Sequence, residues 1–282
     1  MKHLTALVAG AAIALSAMTA TAGVVIEQDQ TSNRGSKDIT QHQTIMVQGN
    51  KERLETPSHI VITDLDKGKL YILQPAAKSY LQMDFPPKGP MAQMMANKSQ
   101  NAMNFTKMGS TRSVAGFKCA DYKGEGKVMS GDYTITECFS TSAPGARDFS
   151  AFQDAMKEKF KGTPMAGMEG NIPGGIPLAS DSTMKMNKIS IPGLPPEQAK
   201  KIEEAMAKRP PVVTKTTVTK VTSQKLAEST FEVPSDYKER QMPGRTGTGP
   251  GMGMMMKPGA SGAAAGAPIT PAASAAASPA AH

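Results

Sequence analysis

Tryptophan is absent from this 282-residue chain, which carries only 5 tyrosines and 8 phenylalanines. Its lysines do not interleave with stacking aromatics, so a nucleic-acid surface built on base stacking is unsupported. Histidine numbers 4, and only His42 and His59 lie away from the termini, each within a strand-like segment. A hydrolytic triad needs a base, usually histidine, and neither position offers one near a nucleophile. There is no P-loop, no dinucleotide fingerprint and no metalloprotease helix, so the chain reads as non-enzymatic with no cofactor. A zinc site on the 2 cysteines is poorly supported, since zinc takes about four ligands and only His42, His59 and the terminal His282 remain beyond the first residues. No apolar run reaches the ~20 residues of a membrane-spanning helix.

The first residues, MKHLTALVAGAAIALSAMTATAG, do form a pattern. A short basic start precedes an apolar run, and Ala20-Thr21-Ala22 supplies the small-x-small site of a secretory leader. The expectation is a signal peptide over 1–22, cleavage near Ala22 and a soluble periplasmic protein. Loss of the leader removes Lys2 and no acid, so the formal charge falls from +8 to +7. A basic surplus in that compartment suits an anionic membrane surface. Export also places Cys119 and Cys138 in an oxidising compartment, where two cysteines read as one disulfide. Pairing symmetric about Ser130-Gly131 sets residue 119 opposite 142, so the bridge calls for a bulge or a longer loop.

Composition divides what remains. From 241 to 282 the chain is almost entirely Gly, Ala, Pro, Ser, Thr and Met. Such a segment buries too little apolar surface to offset chain entropy and is expected to be disordered. Residues 23–240 form one domain. GVVIEQDQ, DITQHQTIMVQ, KERLET, HIVIT, KLYILQ and YLQMD read as a meander of antiparallel strands, with Gly49-Asn50 and DLDKG as turns. DLDKG lacks the glycine and glutamate spacing of a calcium loop, and Gly68 suits a positive φ. Ile60 and Ile62 alternate with Val61, and Leu70 and Ile72 with Tyr71 and Leu73, so both faces of these strands are apolar and both must be covered.

Two helices are expected. ARDFSAFQDAMKEKF (146–160) spaces Phe149, Phe152, Met156 and Phe160 along one stripe. A second helix over 195–209 is inserted between strands, entered by Pro195-Pro196, with VVTKTTVTKVTSQ as the strand after it. Residues 89–108 are methionine-rich, and Met91, Met94 and Met95 stand at i, i+3 and i+4 on one helical face. Methionine adapts to irregular apolar shapes, so the segment reads as a lid over the sheet. Copper(I) or silver binding by those three thioethers is the alternative.

The stretch from MVQGNKERLET to KSYLQMD, then VAGFKCADYKG with TECF, and Phe231, Val233, Pro234 and Tyr237 as F-x-V-P-x-x-Y, resemble a bacterial exported family, domain of unknown function 4412. That family is similar in strand pattern to the LolA-like outer-membrane lipoprotein carriers. The resemblance implies a mainly β (α+β) fold, an open, curved antiparallel half-barrel with short lid helices. It also implies an apolar cavity that takes a lipid or a lipoprotein acyl chain, with Ile60, Ile62, Leu70, Ile72 and the three lid methionines as lining. An envelope interaction protein whose cavity is filled by its own side chains is the competing reading.

Overall fold

The structure is a computed structural model describing residues 22–34, 37–89, 92, 103–128, 131–163, 166, 170–186 and 196–240. The expected leader, the tail and most of the methionine segment, with Met91, Met94 and Met95, lie outside these residues. The described strands are β1 (Gly23–Arg34), β2 (Lys37–Gln48), β3 (Lys51–Glu55), β4 (Ile60–Asp64), β5 (Lys69–Gln74), β6 (Ser79–Asp84), β7 (Asn104–Val114), β8 (Phe117–Val128), β9 (Gly131–Ser140), β10 (Ile176–Met186), β11 (Val212–Gln224) and β12 (Lys238–Glu239). Helix α1 (Ala146–Phe160) precedes β10, and α2 (Pro196–Ala207) lies between β10 and β11. Both helices fall where the sequence pattern sets them.

All described strands join one open sheet in the order β12-β6-β5-β4-β3-β2-β1-β11-β10-β9-β8-β7. Every pairing is antiparallel except the two-residue β12–β6 contact. The sheet curves strongly, because Cα atoms of β7 come within 8 Å of β11 although β8, β9 and β10 separate them. Gly49 and Gly68 take positive φ (57° and 59°) in the turns that fold β2–β5 into hairpins. DLDKG is such a hairpin turn, in which Asp64 Oδ1 accepts from the Lys67 N–H at 2.9 Å.

The doubly apolar strands are covered on both faces by the chain itself. On one face Val24, Ile26, Ile45 and Val47 pack with the α1 stripe Phe149, Phe152, Met156 and Phe160. The α1 entry is tight: Gly145 has φ 75°, and a Cβ there would sit 2.6 Å from Val24 Cβ. Only glycine meets both demands. On the other face Val25, Ile62 and Leu73 pack with Leu226 and Phe231, while Val233 and Tyr237 lie against the same cluster. The F-x-V-P-x-x-Y block is therefore part of a strap, 225–240, laid across the back of the meander. Polar ties hold it. Leu226 N–H donates to Gln48 Oε1 (2.7 Å), Arg53 Nη1 donates to the Thr230 carbonyl (3.0 Å), and Lys51 pairs with Glu228. At its end Lys78 pairs with Asp236 at 2.9 Å.

Cys119 and Cys138 are bonded, with Cα atoms 5.3 Å apart. The bulge expected from the sequence is not needed. Val128 pairs with Gly131 and Ala120 with Phe139, without a register shift. This centre lies one residue earlier than Ser130-Gly131, so residue 119 falls at the level of 140 and not 142. Cys138 is then the diagonal neighbour on the same face, within disulfide reach.

Two outcomes test this packing. Phe231 is 2 % exposed. Phe231→Ala is expected to lower unfolding free energy by about 3–5 kcal/mol in a urea titration; a loss under about 1 kcal/mol means the strap is not part of the cooperative unit. The paired change Cys119→Ser with Cys138→Ser opens a loop of sequence separation 19. It should cost about 3 kcal/mol on the chain-entropy estimate, read as a lower urea midpoint.

Candidate functional site

The β1 column that begins with Val24 and Ile26 continues inward with Gln28 and Gln30. Both are buried, as is Gln43 on β2, at 3 %, 5 % and 1 % exposure. Gln28 Nε2 donates to Gln43 Oε1 at 2.9 Å, and Gln43 Nε2 donates to Gln30 Oε1 at 3.2 Å. Strand register carries the polar line onward. Gln30 lies opposite Thr216, Thr216 opposite Ser180, Ser180 opposite Glu137, Glu137 opposite Tyr122, and Tyr122 opposite Lys107. A row of polar side chains thus crosses the sheet from buried Gln30 to exposed Lys107 at the β7 edge.

Glu137 sits where this row meets an aromatic cluster. Ile135 and Phe139 flank it two residues away on the same face of β9, and the cluster includes Met103, Phe105, Tyr122 and Tyr133. Phe139 makes edge contacts with Phe105 and Tyr122, ring centroids 5.8 and 5.7 Å apart. Glu137 is 3 % exposed, and burial alone pushes its carboxyl up to about 8. Nearby, burial raises the Tyr133 phenol to about 12, against a hydrogen bond with Ser182. Two buried atoms of the row lack a hydrogen-bond partner, Glu137 Oε1 and Gln30 Nε2. Buried polar atoms are normally paired, so each marks a place able to receive another group.

Met103 closes this cluster at the end of the methionine segment. A Cβ on Gly124 would lie 2.9 Å from Ile135 Cγ2 and 3.1 Å from Met103 Sδ, so the glycine lets Met103 reach the sheet. Asn171 pins the neighbouring strand: Phe105 N–H donates to Asn171 Oδ1 (2.6 Å) and Asn171 Nδ2 donates to the Phe105 carbonyl (3.0 Å). Ala92 and Met103, on either side of the undescribed 93–102, are both buried.

The four described residues singled out from sequence as cavity lining, Ile60, Ile62, Leu70 and Ile72, lie on two different faces of the sheet. Val61 pairs with Ile72 and Thr63 with Leu70, so Leu70 and Ile72 share the α1 face. Ile60 and Ile62 belong to the opposite face, under the strap. Apolar alternation on both sides of a strand cannot say which side is which. The buried glutamines and Glu137 went unread, yet Gln28, Gln30 and Gln43 stand at the period-2 positions that continue an apolar column, which is the signal that finds them.

Other charged groups have local explanations. Arg112 Nε lies 2.9 Å from Asp121 Oδ1, beside the disulfide, and Ser110 donates to the same carboxylate at 2.9 Å. Glu52, half-buried on the α1 face opposite Val47, has its carboxyl raised to about 7 by desolvation. His42 pairs with Asp29 at 2.9 Å on an exposed part of β2. His59 lies in the turn just before β4 and not within the strand; Thr56 and Ser58 hydroxyls contact its Nδ1, and burial lowers its pKa. Among the described residues no three His, Cys, Asp or Glu side chains converge as a metal site. No described helix is long and apolar enough to cross a membrane.

A family model, domain of unknown function DUF4412, matches residues 26–171, just over half of the chain, and the chain belongs to that family. The F-x-V-P-x-x-Y block lies beyond the matched residues. No curated protein matches the chain. Among solved structures, PNGF-II is similar at 10% identity over 78% of this chain and 31% of its own, with a TM-score of 0.38. This chain therefore spans about a third of that protein. A DUF1329 family protein from Desulfovibrio piger is similar at 10% identity over 76% and 91% of the two chains, TM-score 0.30. A domain assigned as an outer membrane lipoprotein-sorting protein from Vibrio parahaemolyticus is similar at 7% identity over 74% and 88%, TM-score 0.29.

The buried carboxyls set a pH dependence. Glu137 rises from an ordinary 4.5 to about 8 on folding, and Glu52 from 4.5 to about 7. Between these values the folded chain holds protons that the unfolded chain has released. Stability therefore falls as pH rises from about 4.5 to about 8 and levels off above that. The urea midpoint should be lower at about pH 8.5 than at about pH 5.5. Glu137→Gln should shrink that difference by roughly 1 kcal/mol or more; an unchanged difference means that the carboxyl ionises freely in the fold.

Proposed function

We propose that this DUF4412 protein is a non-enzymatic binding or carrier module of the bacterial periplasm, holding a lipid or lipoprotein acyl chain against the β7–β10 part of its sheet. One observation carries the reading. The cluster of Met103, Phe105, Ile135 and Phe139 belongs neither to the α1-packed core nor to the strap-packed core. It is an apolar wall with a few convergent polar groups and a shifted carboxyl, the usual make-up of a small-molecule site. The methionine segment 89–108 enters this wall at Met103 and serves as its adaptable cover. The leader 1–22 delivers the chain.

A second reading has its own support. On the α1 face the space over β1 and β2 is filled by Phe149, Phe152, Met156 and Phe160. A molecule that fills its own concavity this way works as an envelope interaction protein.

Native mass spectrometry with metal analysis of gently purified mature protein separates the readings. The carrier reading expects one bound lipid per chain, and a fluorescent fatty acid that binds with micromolar or better affinity, about −8 kcal/mol. No adduct and no probe binding leave the interaction reading. Stoichiometric copper lost on changing Met91, Met94 and Met95 would replace both with the metal reading.

A further inference from the structure

The polar row says what kind of ligand the apolar wall can accept. This rests on the ligand-site reading above and deepens it.

Three features of the row define the head group of such a ligand. First, no lysine or arginine is buried among the described residues, whereas Glu137, Gln28, Gln30, Gln43, Ser180, Ser182 and Thr216 all are. Lys107, the cation on the row, stands exposed at its outer end. An anionic head moved into this row would lose its hydration and find no counter-charge. Second, the unpaired groups are of complementary kinds. Gln30 Nε2 is a donor, and Glu137 Oε1 is a carboxyl oxygen in aromatic surroundings. The ligand must therefore bring acceptors as well as donors. Third, the two lie three strands apart, on β1 and β9 with β11 and β10 between them. Adjacent strands are about 4.8 Å apart, so this is roughly 14 Å along the sheet. A single hydroxyl or ester cannot serve both ends.

We propose that the row from Glu137 through Ser180 and Thr216 to Gln30 seats an extended, uncharged, polyhydroxylated head, and that the ligand is a sugar- or polyol-headed single-chain amphiphile whose chain lies on Phe105, Phe139 and Met103. Tyr122 and Tyr133 stand at the join between head and chain, as amphipathic rings at such boundaries do. The raised carboxyl of Glu137 fits the assignment, because a protonated carboxyl donates to one hydroxyl and accepts from another through its second oxygen. The titratable groups facing it are Tyr122 on β8 and Tyr133 along β9, the latter with its phenol pushed up to about 12 by burial.

The test holds the chain constant and varies the head. N-phenyl-1-naphthylamine, an apolar fluorophore without a polar head, is bound to the mature protein and displaced by dodecyl maltoside, laurate or dodecylamine, each below its critical micelle concentration at neutral pH. Dodecyl maltoside should displace the fluorophore at a concentration at least about tenfold lower than either charged amphiphile, the effect of one or two hydrogen bonds. Glu137→Gln keeps a neutral hydrogen-bonding group and should keep that preference, whereas Glu137→Leu and Gln30→Leu should bring the three within about threefold. Equal concentrations in the wild type, or preference for laurate or dodecylamine, overturn the head-group assignment while leaving the apolar site standing. Failure of the fluorophore and all three amphiphiles to bind overturns the apolar site as well. The wild-type ranking decides the matter even if a leucine variant does not fold.

Discussion

The molecule depends on one ladder, the pairing of β1 with β11. Residues 23–32 meet residues 214–224, which follow almost two hundred positions later. This ladder joins the meander β2–β6 to the strands β7–β10; without it the chain would hold two smaller sheets. Closing so long a loop is entropically unfavourable and must be repaid by what the ladder aligns. It aligns Ile26 with Val221 under the helix face, and Gln30 with Thr216 in the polar row. The core and the candidate site are thus completed by the same long-range event.

The elements legible in the sequence are those whose signals are local. The Phe/Met stripe of 146–160 marks a helix by spacing alone, and Gly68 marks a turn by the φ it permits. The doubly apolar strands correctly required cover on both faces. What covers each face depends on residues far away in sequence, α1 for one and the strap for the other, and no window along β4 or β5 contains that information. Apolar alternation therefore groups Ile60 and Ile62 with Leu70 and Ile72, which register places on the opposite side. Glu137 was missed for a related reason. In TECF it looks like an ordinary strand-end acid, and only its neighbours across the sheet, Tyr122 and Ser180, show that it is enclosed.

The family match and the structural unit have different boundaries. Residues 26–171 include β2–β9, α1 and nearly all of β1, yet β1 has β11 beside it and β9 has β10. The matched segment by itself would present two unsatisfied strand edges in the middle of the sheet, at β1 and β9. The later strands and the strap are accordingly structural parts of the same domain. The polar row crosses this boundary as well, since Ser180 and Thr216 lie outside the match while Glu137 and Gln30 lie within it.

The three buried glutamines have a consequence for how the chain finds this arrangement. Apolar alternation rejects a one-residue slip of β1 against β2, because that would turn Glu27 and Asp29 into the core. A two-residue slip preserves the alternation and escapes that filter. The amides do not let it pass. Gln43 accepts from Gln28 and donates to Gln30, so it engages two successive rungs of β1 at once, and sliding by two would set an amide directly opposite an aliphatic side chain in either direction, Gln43 opposite Ile26 or Gln28 opposite Ile45. The amide ladder works as a vernier, separating alignments that oil-and-water patterning treats as equal.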